Sequence, residues 1–547
     1  MTIKIQPRKP RDLGATMAAP DIAPAGDMSG QDRMTRNVLA SWAGHLVFIA
    51  SGFIMPRLID GQLGQGALGI WDFGWSLVAY FNLVQGGVIS SINRYVAKHR
   101  AMGDVEGLNR CISSATAMLT AMAGIVLLFT LIATFSVPRL LSRQLIDFVG
   151  DAEWVVFLFG MSLAIQTPMA AFGGVISGCH RWDLYSAIQV GGHLITVGGM
   201  VTVLLVGGGL PWLALMPVGG EAFIMAARCV TAYRVCPHLR VRLRYMRWSA
   251  ARSMLTFGGK SFVLTITELL VNQTTSVLVI AYLGPAALAL YSRPASLVGH
   301  VTMLVRKFTF VLGPTSSSLH AAGQRRQLQE LMLKATRYGA YISLPMILTL
   351  AIMGGPILRL WMGARYTEGL LLALLALGRL PSTVQESVLG VLWGMNAHGR
   401  PAVAKFVAAI CTAVMVTAAL GVLQWGIVGA AVAVMIPLTI VDGIYVPLYG
   451  YRRLGMPISR YVMESLRGPV LCMIPFAFCL AASRVVFAES PLFALAVAAP
   501  VGSAVLGVLY WRGVLPQSLK STITRRLRLT RVSRAPLART EEERSLM

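Results

Sequence analysis

Charged residues are scarce in this chain of 547 residues: Asp, Glu, Lys and Arg together make up 13%, about half the share of an ordinary soluble domain. So little charge cannot clothe a water-exposed surface. A hydrophobic fraction of 55% and a mean hydropathy of +0.65 exclude a soluble core of the usual kind as well. Acidic residues are the scarcest, 23 against 48 basic ones, which leaves a formal charge of +25. A nucleic-acid partner would need one basic face with interleaved aromatics, and these cations are scattered over many loops instead. The seven cysteines (Cys111, Cys179, Cys229, Cys236, Cys411, Cys472, Cys479) fall in apolar runs or at their ends, which gives no disulfide framework and no zinc spacing. Residues 1–36 hold Lys4, Arg8, Lys9 and Arg11 with Pro and Gly where a cleavable signal would have its apolar core.

The chain is rich instead in long apolar runs. Fourteen are near the ~20 residues that cross a ~30 Å hydrocarbon core: 37–56, 67–92, 111–135, 152–178, 185–207, 212–233, 254–282, 288–314, 338–358, 370–397, 401–423, 426–449, 468–487 and 491–511. This predicts an all-α polytopic membrane protein. If residues 1–36 are cytoplasmic, loops and tails on that side carry 35 of the 48 Lys and Arg, against five on the other side (Arg57, Arg139, Arg143, Arg359, Arg365). That asymmetry puts both termini in the cytoplasm. Outer connections reach about 16 residues at most, too little for a large outer catalytic loop.

An internal repeat predicts the architecture. Residues 63–110 align without gaps on 283–330, with ten identities in 48 at a constant offset of 220, among them Leu63-Gly64 with Leu283-Gly284 and Ser76-Leu77-Val78 with Ser296-Leu297-Val298. A second echo pairs Gly174-Val175 and Gly178, running into Arg181, with Gly390-Val391 and Gly394, running into Arg400, and implies three extra residues in the second turn. Small residues four apart let helix backbones approach closely. Six spans separate equivalent points, an even number, so the copies enter the membrane in the same direction. They should be related by a pseudo-two-fold along the membrane normal. The expected organisation is a tail (1–36), a six-helix bundle (37–233), a basic linker (234–253), a second six-helix bundle (254–449), two extra helices (450–511) and a basic tail (512–547).

The run from Asn37 through LIDGQLGQGALGIWDFGWSLVAYFNLVQGGVISSINRYVAKHRAMGD, with the turn GVISGCHRWD, resembles the polysaccharide-transporter branch of the multidrug/oligosaccharidyl-lipid/polysaccharide exporter superfamily, the O-antigen type flippases. The resemblance spans roughly residues 37–450 and rests on glycines, span lengths and loop signatures. It implies a substrate made of a glycan on a polyprenyl pyrophosphate, moved from the cytoplasmic to the outer leaflet of a bacterial inner membrane by alternating access. It also implies a monomeric unit working beside a polysaccharide polymerase and chain-length proteins.

Ionisable residues inside spans cost about 2.5–3.5 kcal/mol at mid-bilayer unless hydrated or paired, so each needs a reason. In span 10, Arg379, Ser382, Thr383 and Glu386 fall on one helical face around Pro381, as a cavity lining or as an ion-pair network with neighbouring helices. In span 8, Arg293, Ser296, His300 and Lys307 share a face; Arg293 and Lys307, ~21 Å apart along the axis, cannot grip one pyrophosphate together. Arg306 is expected to snorkel to the headgroups. Span 7 opens with Gly258-Gly259-Lys260-Ser261, which lacks the leading glycine of a phosphate loop (Met254 stands there) and any preceding strand, so direct ATP coupling is not expected. Lys260 either meets an incoming phosphate or snorkels. Glu268, Glu386, Glu221 and Asp442 are the coupling-ion candidates. Glu221 and Arg228 lie too far apart for direct pairing, and Asp72 is expected to face water at the outer end.

The preferred reading is a carrier for an anionic lipid-linked oligosaccharide, with Arg379, Arg293, Lys260, Lys307, Ser382 and Thr383 as substrate contacts, no cofactor or metal, and no catalytic step. A cation-coupled multidrug antiporter would want unpaired carboxylates in its cavity. A membrane glycan polymerase or ligase would want a long outer loop.

Overall fold

The computed structural model describes residues 34–514 except 86, 87, 142, 146, 310 and 311, together with 517 and 520. The expected tails therefore lie almost wholly outside the described residues, which are mostly helical and contain no strand. The first six-span unit is built from α1 (Met34–Phe81), α2 (Val88–Ala101), α3 (Val105–Leu140), α4 (Val149–Gly178), α5 (Trp182–Leu205) and α6 (Leu210–Val235). The second runs through α7 (Trp248–Leu283), α8 (Pro285–Thr309), α9 (Leu312–Ala321), α10 (Arg325–Met362), α11 (Gly369–Gly394), α12 (Gly399–Thr417), α13 (Gly426–Leu438) and α14 (Val446–Leu454). Then follow α15 (Ile458–Tyr461), α16 (Arg467–Val486) and α17 (Pro491–Gly513).

Among the described residues, twelve helices are long and apolar enough to cross a membrane, against fourteen expected. The difference has two sources. Two expected spans run on as one in α1, joined at Gly64, whose φ of 87° and ψ of 170° break the helix without ending it. The other is α11, which is absent from the twelve and whose polar stripe dilutes its apolar character.

The repeat is written into the backbone. Gly284, at the α7–α8 junction, has φ 83° and ψ 177°, the same left-side geometry as Gly64 at offset 220, a conformation that a side chain would strain. The turn after α2 closes with Gly103 N–H on Arg100 O and Asp104 N–H on His99 O, and Gly323 on His320 O with Gln324 on Leu319 O reproduces it after α9. Helix packing repeats too. A side chain at Gly178 would meet Val96 and the carbonyl of Asn93; one at Gly394 would meet Ser316 and the carbonyl of Gly313, again displaced by 220. At the basic end of each unit, Asn109 donates to His238 O (3.2 Å) and Gln329 to Leu454 O (2.8 Å). One expectation is corrected. The turn after α11, with His398 as N-cap of α12, is one residue longer than the turn after α4 capped by Arg181, not three, so Arg400 sits in the first turn of α12 and is not the partner of Arg181.

Apolar packing is uneven along the molecule. At the end remote from the basic loops, one cluster runs across both units, with Leu68, Phe73 and Phe159 joined to Leu288, Leu371 and Tyr366. At the basic end the packing divides into separate clusters, one around Ile92, Ile112 and Ile176 and another around Met332, Val391 and Tyr451. The units thus share one cluster at the far end, while at the basic end each has its own, the first also taking in Ala251 and Met254 from the start of α7.

Candidate functional site

A cavity of about 770 Å³ lies within the second unit, among α7, α8, α9, α11, α12 and the π-helical turn 439–445. It runs along α11 from Arg379, near mid-span, to Trp393 and Gly394 at the basic end. Its size suits a small ligand or part of a larger one.

Three bases and three carboxylates line it: Arg306, Arg379 and Lys405 with Glu268, Glu386 and Asp442. Arg306 is the hub, with Glu268 of α7 at 2.5 Å and Glu386 of α11 at 3.0 Å. Asp442, 2% exposed, is held by Lys405 Nζ at 2.9 Å and by the Ser382 hydroxyl at 2.5 Å. The extra residue of a π turn re-aims a side chain within an otherwise regular helix, and here it points Asp442 at both partners. Arg379 donates to the Asn272 amide oxygen; among the described residues it has no carboxylate partner, so its charge is not neutralised by direct pairing. At the mouth, Trp393 stacks on His398, centroids 4.7 Å apart and planes at 20°. Burial pushes the His398 imidazole below its ordinary value, so it adds no charge near neutral pH.

The first unit carries polar ties on the same helices. Gln166 of α4, at the position equivalent to Ser382, donates to Glu221 of α6 at 3.0 Å. Arg228, 4% exposed, donates to Gln189 of α5 at 2.5 Å and lies over the Tyr185 ring. Gln166, Gln189 and Arg228 line a cavity of about 160 Å³. A further cavity of about 380 Å³ holds Asp72, His193, Glu221 and Arg293.

The expected residues separate accordingly. Arg379, Ser382, Glu386, Glu268 and Asp442 meet in the larger cavity. Glu221 does not, and it pairs with Gln166 rather than Arg228, consistent with the spacing along α6. Arg293 is corrected: its guanidinium lies 2.5 Å from Asp72 across the two units, with side chains only 6% and 15% exposed, so it is neither free nor beside Arg379. Asp72 is corrected with it, being paired rather than open to water. Thr383 is fully buried and bonds the Arg379 carbonyl of its own helix, away from the cavity. Lys307 is exposed and sits over the Trp42 ring at 5.1 Å, outside the cavities described here. Arg306, expected to snorkel, is the cavity residue. Successive helical positions point about 100° apart, so one of this pair had to face away, and the assignment is reversed. The side chain of Lys260 lies outside the described residues. Lys405, Trp393 and His398 were not among the expected contacts; of these only Lys405, a cation inside a span, carries a signal in the sequence.

Comparison with known proteins bears on the fold. Residues 181–370 match the family model described as "Polysaccharide biosynthesis protein". The chain is 22% identical over 445 residues to the uncharacterized membrane protein EpsK of Bacillus subtilis (strain 168), covering 80% of this chain and 87% of that one. Among solved structures it is similar to the lipid II flippase MurJ in an inward closed conformation (TM-score 0.63, 12% identity, 87% of this chain and 98% of that one). It is also similar to an inward-facing multidrug resistance MATE family transporter of the MOP superfamily (TM-score 0.61, 12% identity, 75% and 94%). The chain is therefore a multi-pass membrane protein whose fold is similar to those of MurJ and of a MATE transporter of the MOP superfamily, the fold that the resemblance read from the sequence implied.

Proposed function

We propose that the chain flips a polyprenyl-pyrophosphate-linked oligosaccharide across the bacterial inner membrane by alternating access, with both termini cytoplasmic and residues 37–233 and 254–449 as the two moving bundles. The observation that carries this reading is Arg379, a mid-span guanidinium at the deep end of a 770 Å³ cavity reaching the basic end, with an amide and no carboxylate as partner among the described residues. A planar guanidinium grips phosphate oxygens in pairs and stays charged at low dielectric. The reach of this cavity to the basic end admits a headgroup from the cytoplasmic leaflet while the lipid tail stays in the bilayer. The named flippase among the similar structures, MurJ, supports the same reading. Short far-end connections, such as 141–148 and 363–368, give a polymerase or ligase nowhere to build a site.

The antiporter reading draws on Glu221, whose second carboxylate oxygen is buried with no hydrogen-bond partner. The carboxylates of the larger cavity are paired with bases, which favours the flippase. Arg379→Gln separates the two: it is expected to abolish glycan export, with lipid-linked intermediate accumulating in the inner leaflet, while Arg379→Lys recovers part and the exposed Arg326→Gln changes nothing. Normal glycan export by well-expressed Arg379→Gln overturns the proposal.

A further inference from the structure

The segment that joins the two units is strapped down in a way the repeat does not require. Over 239–242 the chain alternates: Leu239 is 3% exposed and Val241 packs beside it in the apolar cluster of the first unit, while Arg240 and Arg242 are exposed; a 3-10 turn, Leu243–Tyr245, follows. Three neighbouring side chains of α3 hold this backbone. Asn109 accepts from Arg240 N–H (2.7 Å) and donates to His238 O, Ser113 accepts from Arg242 N–H (3.1 Å), and Ser114 accepts from Arg247 N–H (2.9 Å). All three are buried. Among the described residues the second unit keeps the first of these clamps, through Gln329; at offset 220 from Ser113 and Ser114 stand Leu333 and Lys334.

The fixed backbone displays a particular surface. Arg240, Arg242, Arg244, Arg247 and Arg252 are all exposed, and Leu243 (82% exposed) and Trp248 (67%) stand out between them. Arg244 lies over the Tyr245 ring and donates to its hydroxyl at 3.0 Å; that bond, with the charges of Arg244, Arg242 and Arg240, holds the Tyr245 phenol below its ordinary value. Orientation in the membrane needs only that cations lie on this side. It does not need them on a strap held by three side chains of α3, nor large apolar side chains thrust out between them. Basic groups at phosphate level with Trp and Leu entering the acyl boundary are how a peptide segment engages a charged bilayer surface. We propose that the strap 238–248 is a docking surface for anionic phospholipid headgroups of the leaflet at the basic end, anchoring the joint between the two units to that leaflet. This goes beyond the transport reading and does not depend on which substrate is carried.

The test uses the full chain in detergent with phosphatidylglycerol or phosphatidylcholine added, bound lipid being counted by native mass spectrometry. Wild type is expected to retain phosphatidylglycerol in preference to phosphatidylcholine. The variant Arg240→Gln, Arg242→Gln, Arg244→Gln should lose about a hundredfold in that preference at an unchanged unfolding temperature, and Leu243→Ser with Trp248→Ser should weaken it with all charges kept. Removing the same charge at Arg326, Lys334 and Arg453 should leave it intact. An equal loss in that control would show net charge alone at work and overturn the proposal. So would full retention by the strap variant, or displacement of the lipid by glycerol 3-phosphate at matching concentration, which would mark a simple phosphate site.

Discussion

Asp72→Asn is the perturbation most informative about how the two units move. Asp72 and Arg293 face each other at 2.5 Å from different units, at the fused far end, with the Arg293 side chain 6% exposed and its Nε already without a partner. Neutralising Asp72 leaves a guanidinium buried and uncompensated, a change that costs about 3–5 kcal/mol when one member of a buried pair is removed. That penalty applies only while the far end is closed, because opening it hydrates Arg293. The closed-to-open equilibrium should therefore shift by at least about a hundredfold, 1.4 kcal/mol being a factor of ten. Hydrogen-deuterium exchange read by mass spectrometry on segments 57–66 and 363–368 measures this directly. Both should exchange faster in Asp72→Asn, and the double variant with Arg293→Met should return most of the way, since the orphaned charge is gone. Unchanged exchange in the single variant, or a double variant as open as the single, would refute the pair as a latch between the units.

Three other outcomes follow from the geometry. Arg306→Gln strips the shared partner from Glu268 and Glu386 and should lower glycan export at least as far as Arg379→Gln, whereas Lys307→Gln should be close to silent; the reverse order in a normalised export assay would restore the snorkelling role to Arg306. Gly394→Val places a side chain where a Cβ would already lie 1.9 Å from Ser316 Oγ and 2.4 Å from the Gly313 carbonyl; an overpacking loss of about 1–3 kcal/mol should lower the unfolding temperature, with Gly399→Ala, which meets nothing within 4 Å, as the neutral comparison. Asp104 caps α3 by accepting from Gly107 N–H at 2.7 Å, and that bond, with His99 beside it, holds its carboxyl below the ordinary carboxylate value. A lowered value contributes stability above the ordinary carboxylate range and loses it as pH falls through the folded one. Asp104→Ala should cost about 1 kcal/mol at neutral pH, and Asp104→Asn should flatten the acid limb of the unfolding-temperature profile.

Apolar runs and glycines made the scaffold legible, because both act locally. A stretch of some twenty apolar residues states its own span, and Gly64 with Gly284, or Gly178 with Gly394, mark positions where the backbone itself needs the missing side chain. Pairings between spans are different. Asp72 and Arg293 are 221 residues apart, and no periodicity within either span says that they touch. The same blindness reversed Arg306 and Lys307: snorkelling and cavity-facing look alike on one helix, and only the carboxylates brought up by α7 and α11 decide between them. Lys405 was visible as a buried cation, but its partner Asp442 depends on a π turn that no residue pattern announces.

The contrast between the two units shows how one scaffold acquires one large site. Their glycine contacts coincide, so the helices stand in corresponding places, and the difference in open volume has to come from side chains. At the position where the first unit has Gln166, the second has Ser382, and the shorter side chain reaches Asp442 without filling the space in front of it. On the facing helix of each unit, Gln189 ties down Arg228 by a neutral amide, whereas Lys405 reaches Asp442 as an ion pair. The first unit thus closes around its arginine, which is buried and stacked on Tyr185. The second leaves Arg379 beside a cavity nearly five times larger than the 160 Å³ around Arg228. A guanidinium that is locked in one unit and accessible in the other is the asymmetry a carrier of an anionic headgroup requires. Exchanging the lining, with Ser382→Gln and Gln166→Ser in one chain, should move open volume toward Arg228 and leave Arg379 crowded; glycan export that persists unchanged in that variant would separate the cavity from transport altogether.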